Sequence, residues 1–191
     1  MQSIPLLPSL KSPDSEASPF NVVIAYEDFE TGKRAMKVYN YIVEHLSDKY
    51  LFQNQMWKFE VLAVAKLRQM AVKDASAADI VIVSTHGTNE LPAEAASWIK
   101  SSAAEQNNLI ALVGLFDLEE HLDNPARRFL ADTAQRHGIE FFSQPGVWPS
   151  VEDKDQQRPL DARGERNEKT FSILHSAVQE NAAVFHWGIN E

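Results

Sequence analysis

The segment Asp79-Ile-Val-Ile-Val-Ser-Thr-His-Gly-Thr-Asn-Glu-Leu-Pro92 passes directly from a short apolar run into a polar turn containing glycine. Ile80 to Val83 offers no polar face, so as a strand it has to be covered on both sides, as parallel strands inside α/β sheets are. The C-terminal end of such a strand carries hydroxyls, an imidazole and free backbone donors to the sheet edge. Open α/β folds place their sites there.

The same kind of run recurs along the chain. Asn21 to Tyr26, Leu51 to Phe59, Leu109 to Gly114 and Ile139 to Ser143 all read as short buried strands. Helical patterns separate them. Thr31 is placed to cap a helix with Ala35, Val38, Tyr39, Ile42 and Leu46 on one face, and Val61 to Val72 supplies the next helix. Pro92 suits a first helical position before an alanine-rich segment through Trp98 and Ile99. Asn124-Pro125 opens a helix with Ala126, Phe129, Leu130 and Ala134, and Gly138 closes it.

Strands alternating with helices predict an open parallel sheet with helices on both faces, joined by right-handed crossovers. The 191 residues fall short of a complete eight-stranded barrel, which takes about 250. The expected organisation is an arm over residues 1–19, rich in Ser, Pro and charge, followed by a single domain over 20–191. Within that domain, residues 144–168 form a long proline- and charge-rich connection, and Thr170 to Val178 is a helix with Phe171, Ile173, Leu174 and Val178 near its buried face. The aromatic tail Val184 to Ile189 is expected to pack Phe185 and Trp187 on the body, with a partner-binding surface as the competing reading.

Composition narrows the chemistry. With 18 basic and 27 acidic side chains the formal charge is −9, and no basic run concentrates positive charge against nucleic-acid phosphates. Lys33-Arg34, Arg127-Arg128 and the region from Arg163 to Lys169 read as scattered surface charge. The absence of cysteine excludes disulfides, thiolate nucleophiles and cysteine-ligated clusters. No apolar run approaches a membrane span, and Met1 to Leu10 lacks a basic leader and contains Pro5 and Pro8, so the expected location is cytoplasmic.

Ser84-Thr-His-Gly-Thr-Asn-Glu-Leu-Pro92 resembles the loop after the third strand of flavodoxins and of the flavodoxin-like domains of diflavin reductases. In that family the loop reads Ser-Thr, an aromatic, Gly, two small or polar residues, an acid, an apolar residue and Pro, and it wraps one side of a flavin ring. His86 takes the aromatic position here, and Asn89 that of a second glycine. Glu30-Thr-Gly-Lys33 looks like the family's phosphate-binding turn. Gly114-Leu-Phe-Asp117 resembles its Gly-Leu-Gly-Asp loop, with Phe116 replacing a glycine.

The resemblance spans about residues 21 to 142 and implies a doubly wound five-stranded sheet of order 2-1-3-4-5. It also implies FMN as the possible cofactor, with Thr31, Gly32, Lys33, Trp57, Ser84, Thr85, His86, Gly87 and Asp117 as the cofactor-binding set. Glu27, Asp28 and Glu30 before the first helix oppose a phosphomonoester electrostatically. Simple helix capping is the other reading of that turn. Glu27-Asp28 also looks like the acidic pair of phosphorylation receivers, but the third strand ends without a phosphate-accepting aspartate and Ser143-Gln144-Pro145 lacks the expected Lys-Pro. A receiver reading is therefore a degenerate one.

The six histidines form no close metal motif, and Glu119-Glu120-His121 with Asp123 reads as a solvated acidic loop. Ser84, His86 and an acid offer the parts of a hydrolytic relay, but without a nucleophile-elbow sequence. The functional expectation is a ligand-binding or protein-interaction module with no assignable catalytic residue or metal. Its partner is an unidentified protein or small molecule, neither nucleic acid nor membrane. FMN-dependent electron transfer is the alternative.

Overall fold

A computed structural model describes residues 18–87, 90–104, 108–117, 124–144 and 170–178. The order is β1 (Ser18–Tyr26), α1 (Phe29–Leu46), β2 (Tyr50–Lys58), α2 (Phe59–Leu62), α3 (Ala65–Ser76), β3 (Ile80–Ser84), α4 (Ala93–Ala104), β4 (Ala111–Leu115), α5 (Pro125–His137) and β5 (Glu140–Gln144). A further helical stretch, α6, covers 170–178. All strands are parallel, in the order β2-β1-β3-β4-β5. The open parallel sheet expected from the alternation of strands and helices is present, in the flavodoxin-like order that the resemblance implied.

The two faces of the sheet follow from the period-2 alternation of side chains. Val23, Ala25, Val81, Val83 and Leu112 point to the side covered by α2, α3, α4 and α5, where Leu62, Ala75, Trp98 and Leu130 meet them. Phe20, Val22, Ile24, Ile80, Ile82 and Val113 point to the other side, against Val38, Ile42 and Leu46 of α1 and Leu174 and Ala177 of α6. Every residue of β3 and β4 is buried. Each fully buried Val, Ile or Leu contributes roughly 1.5–3 kcal/mol, so the central strands anchor whatever sits at their ends.

Several boundaries differ from the sequence reading. β1 begins at Ser18, inside the stretch assigned to the arm. The helix expected over Val61 to Val72 is two helices, α2 and α3. Val64 is extended, with ψ 112°, and half-exposed, and Arg68 Nη1 donates to the Leu62 carbonyl at 2.8 Å, satisfying the end of α2. The break lets Phe59 and Leu62 reach the core alongside Ala71 and Ala75.

Asn124 caps α5 by accepting from Arg127 N at 2.6 Å, Pro125 follows it, and Gly138 ends the helix at φ 66°, as its sequence indicates. Residues 1–17, most of the 144–168 connection, Trp148, the Glu119 to Asp123 loop and the 184–191 tail lie outside the described residues.

Candidate functional site

The C-terminal ends of β1, β3 and β4 meet where the strand order reverses between β1 and β3, the topological switch point of an open α/β sheet. Glu27 follows β1, and its backbone N–H donates to the Ser84 carbonyl at 3.0 Å, extending the pairing beyond the strands. Its carboxylate then receives Thr85 Oγ1 at 2.6 Å and the His86 backbone N–H at 2.9 Å, both on Oε2. One carboxylate thereby holds the start of the loop after β3 against the end of β1.

Asp28 caps α1. Its Oδ1 accepts from Thr31 N at 3.0 Å while Thr31 Oγ1 accepts from Asp28 N at 2.8 Å, a reciprocal capping box. The cap is therefore Asp28, with Thr31 three residues further on as its counterpart; the sequence reading put the cap at Thr31. Both residues are polar and within one turn, so local sequence alone favoured neither.

The second oxygen of Asp28 faces His86. Nε2 lies 2.8 Å from Asp28 Oδ2, and Nδ1 lies 2.8 Å from Asp117 Oδ2. A histidine between two carboxylates is most stable with a proton on each nitrogen, because only imidazolium donates on both sides. The hydrogen bonds to Asp28 and then Asp117 push the His86 pKa up to about 9. The Thr31 backbone N–H, followed by His86, holds the Asp28 carboxyl down at about 2.

Beneath this clamp lies Arg34. Nη1 pairs with Asp117 Oδ1 at 2.6 Å, Nη2 donates to the Thr85 carbonyl at 2.7 Å and the Leu115 carbonyl at 3.3 Å, and Nε donates to Ser84 Oγ at 3.2 Å. With 9% of its surface exposed, Arg34 is a buried bracket across the ends of β3 and β4. This corrects its reading as surface charge. The signal was present in the sequence: Arg34, Val38, Ile42 and Leu46 are spaced by four residues, which puts the arginine on the buried stripe of α1.

The expected site residues divide into two groups. Ser84, Thr85, His86, Gly87 and Asp117 come together, with Gly87 at φ 83° and its N–H donating to Thr85 Oγ1 at 3.3 Å. Thr31 belongs to the cap. Gly32 makes room for Tyr26, whose ring would lie 3.0 Å from an added Cβ. Lys33 is exposed and pairs with Glu30 at 3.3 Å. Trp57 packs on the α3 side of the sheet and donates from Nε1 to Asp74 Oδ2 at 3.1 Å. Sequence reasoning had weighed Glu27 and Asp28 as obstacles to phosphate, and had no reason to join them to Thr85 and His86 across 58 and 59 positions.

The loop after β4 differs from its flavodoxin counterpart in a specific way. Phe116 is 2% exposed and belongs to the core with Leu130. Its ring would lie 2.9 Å from a Cβ on Gly114, so the glycine serves the ring's inward turn. The aromatic side chain thus fills the base of the loop.

No family model matches the chain, and no curated protein matches it. The likeness to flavodoxins is one of fold, carried by the strand order and the doubly wound layers. That scaffold is suited in general to ligand or protein contact at its switch-point edge. Among the described residues, no group of three His, Cys, Asp or Glu side chains is placed to hold a metal ion, and no helix is long and apolar enough to cross a membrane.

Chemically, the cluster sets the three carboxylates of Glu27, Asp28 and Asp117 against the two cations Arg34 and His86. Ser84 Oγ faces Arg34, and both His86 nitrogens face carboxylates. The serine and histidine therefore do not form a nucleophilic relay. The arrangement locks three strand ends together and presents a charged surface around a half-exposed imidazolium.

Proposed function

We propose that this chain is a flavodoxin-like interaction module that recognises a protein partner at the switch-point edge and carries out no catalytic step of its own. The observation that carries this reading is Asp28. Its carboxylate takes the Thr31 N–H in the first turn of α1 with one oxygen and faces His86 with the other, in the place where the flavin phosphate of a flavodoxin would need free N–H donors. An incoming phosphate would also meet Glu27 and Asp117 at short range.

Phe29 supports protein contact. It is 74% exposed at the first turn of α1, immediately beside Asp28, with Lys33 Nζ 5.4 Å from its ring centre. An exposed aromatic next to a fixed charged cluster supplies the apolar anchor and polar surround that protein recognition uses. The expected cytoplasmic setting, the single-domain organisation and the contribution of the 184–191 tail belong to the same proposal.

Two measurements test it. The purified protein is expected to show no flavin absorbance and to leave FMN fluorescence unchanged on titration; stoichiometric FMN binding would overturn the reading in favour of electron transfer. Affinity capture from the native cells, run in parallel with wild type and Phe29→Ser, is expected to recover a partner with wild type alone. Equal recovery by both removes this edge from the proposal.

A further inference from the structure

β2 stands at the end of the sheet, and among the described residues no strand lies beyond it. Exposed edges usually carry a guard against pairing with another chain: a charge, a proline, a bulge or a short length. Over Leu51 to Trp57 none is present. The segment Leu-Phe-Gln-Asn-Gln-Met-Trp has no charged residue, no proline and no glycine, and its register against β1 runs without a bulge from Leu51 opposite Pro19 to Trp57 opposite Ala25. Two of its apolar side chains are turned to the surface, Leu51 at 62% and Met56 at 38% exposure.

We infer that this edge pairs with the same edge of a second copy of the chain, antiparallel about a twofold axis through Asn54. The side-chain order argues for that occupant. A twofold at Asn54 sets Leu51 against Trp57, Phe52 against Met56, Gln53 against Gln55 and Asn54 against its own counterpart. Directly opposed residues of an antiparallel pair share a face and touch, so each apolar side chain meets an apolar one and each amide meets an amide. Both exposed hydrophobics gain a partner.

Charge points the same way. Two chains of net charge −9 repel, and a self-contact is cheapest along a strip that carries no charge. Antiparallel pairing is also self-complementary and closes as a dimer, whereas a head-to-tail contact would leave an open chain of copies. The result is a sheet continuous across two protomers, with the switch-point clusters left outside the contact. The inference does not rest on the function proposed for those clusters.

The absence of native cysteine allows a direct test. Residues facing each other across an antiparallel pair have Cα atoms about 4.5–5.5 Å apart, within the span a disulfide bridges. Under mild oxidation Asn54→Cys is expected to give a covalent dimer with the wild-type circular dichroism spectrum, while Glu44→Cys on the exposed face of α1 stays uncrosslinked. Sedimentation equilibrium of the full wild-type chain is expected to give twice the 21.5 kDa chain mass. Asn54→Lys and Asn54→Glu, each placing like charges on the axis, are expected to sediment as monomers and to recover the dimer when mixed in equal amounts. A monomeric wild type, or a dimer that survives both charge variants and ignores Asn54→Cys, overturns the inference.

Discussion

Asp28 Oδ2 and His86 Nε2 lie 2.8 Å apart although their residues are 58 positions apart in the chain. The contact joins the cap of α1 to the loop after β3, so a local device that starts a helix also sets the charge of the imidazole at the sheet edge. This coupling makes the site measurable through stability even before a partner is known.

The pH dependence follows in sign from the two shifted groups. His86 has its pKa raised from 6.5 to about 9 in the folded protein. Its contribution is fully present below pH 6.5 and is lost as pH rises through about 9. Asp28 is lowered from 3.8 to about 2, so its contribution is present above pH 3.8 and is lost as pH falls toward 2. Urea midpoints measured across pH should be highest between those limits and fall on the alkaline side. In His86→Gln the fall between pH 6.5 and 9 should disappear.

Asp28 carries two separable roles. Asp28→Asn retains a good cap but loses the charge facing His86, whereas Asp28→Ala loses both. Alanine at a cap costs about 1 kcal/mol, and the ion pair, with both partners between a third and a half exposed to solvent, adds at most about 1 kcal/mol. Denaturant unfolding at pH 6 should rank wild type above Asp28→Asn and Asp28→Asn above Asp28→Ala. Equal stability of the two variants would mean that the cap contributes nothing.

Arg34 should be the most sensitive polar position. Arg34→Met leaves Asp117 with His86 but without the guanidinium, leaves Ser84 Oγ and the Thr85 carbonyl without the guanidinium donor, and takes one of two donors from the Leu115 carbonyl. Asp117 is 42% exposed and keeps water, so the loss comes mainly from the buried acceptors left without a donor, each worth about 1–3 kcal/mol. Arg34→Lys should recover only part of the loss, because an ammonium cannot reproduce a planar fork that reaches four acceptors. Thermal and urea unfolding of the two variants measure the difference.

Gly114 and Phe116 should be coupled. A methyl at Gly114 would meet the Phe116 ring at 2.9 Å, and such overpacking costs about 1–3 kcal/mol. Phe116→Ala should cost about 3–5 kcal/mol by opening a core cavity. In the double variant the new methyl no longer meets a ring, so the combined loss should be smaller than the two single losses added. Strict additivity would show that the ring does not set the need for glycine.

What the sequence determined alone was whatever depends on neighbours along the chain. The all-apolar Ile80 to Val83 run, the stripe of Val38, Ile42 and Leu46, the Asn124-Pro125 start and the Gly138 stop are local patterns. Each is enforced by burial or backbone geometry within a few residues, which is why the alternation of strands and helices followed from them, whereas the strand order came from the resemblance to flavodoxins. The resemblance of the loop from Ser84 to Pro92 pointed to the sheet edge at the end of β3, where the charged cluster lies.

The composition of the site was decided only by tertiary structure. Glu27 and Asp28, Arg34, Thr85 and His86, and Asp117 lie on separate segments and become neighbours because parallel pairing aligns the ends of β1, β3 and β4. Pairing of charges between those segments has no periodicity to read. The same holds for Phe116, which the sequence marked only as the replacement of a glycine, and whose ring finds its place in the core through the packing of Leu130 and the bare backbone of Gly114. Periodicity records which face of an element is buried, but which charges meet at the ends of elements is settled when the sheet closes and removes water from between them.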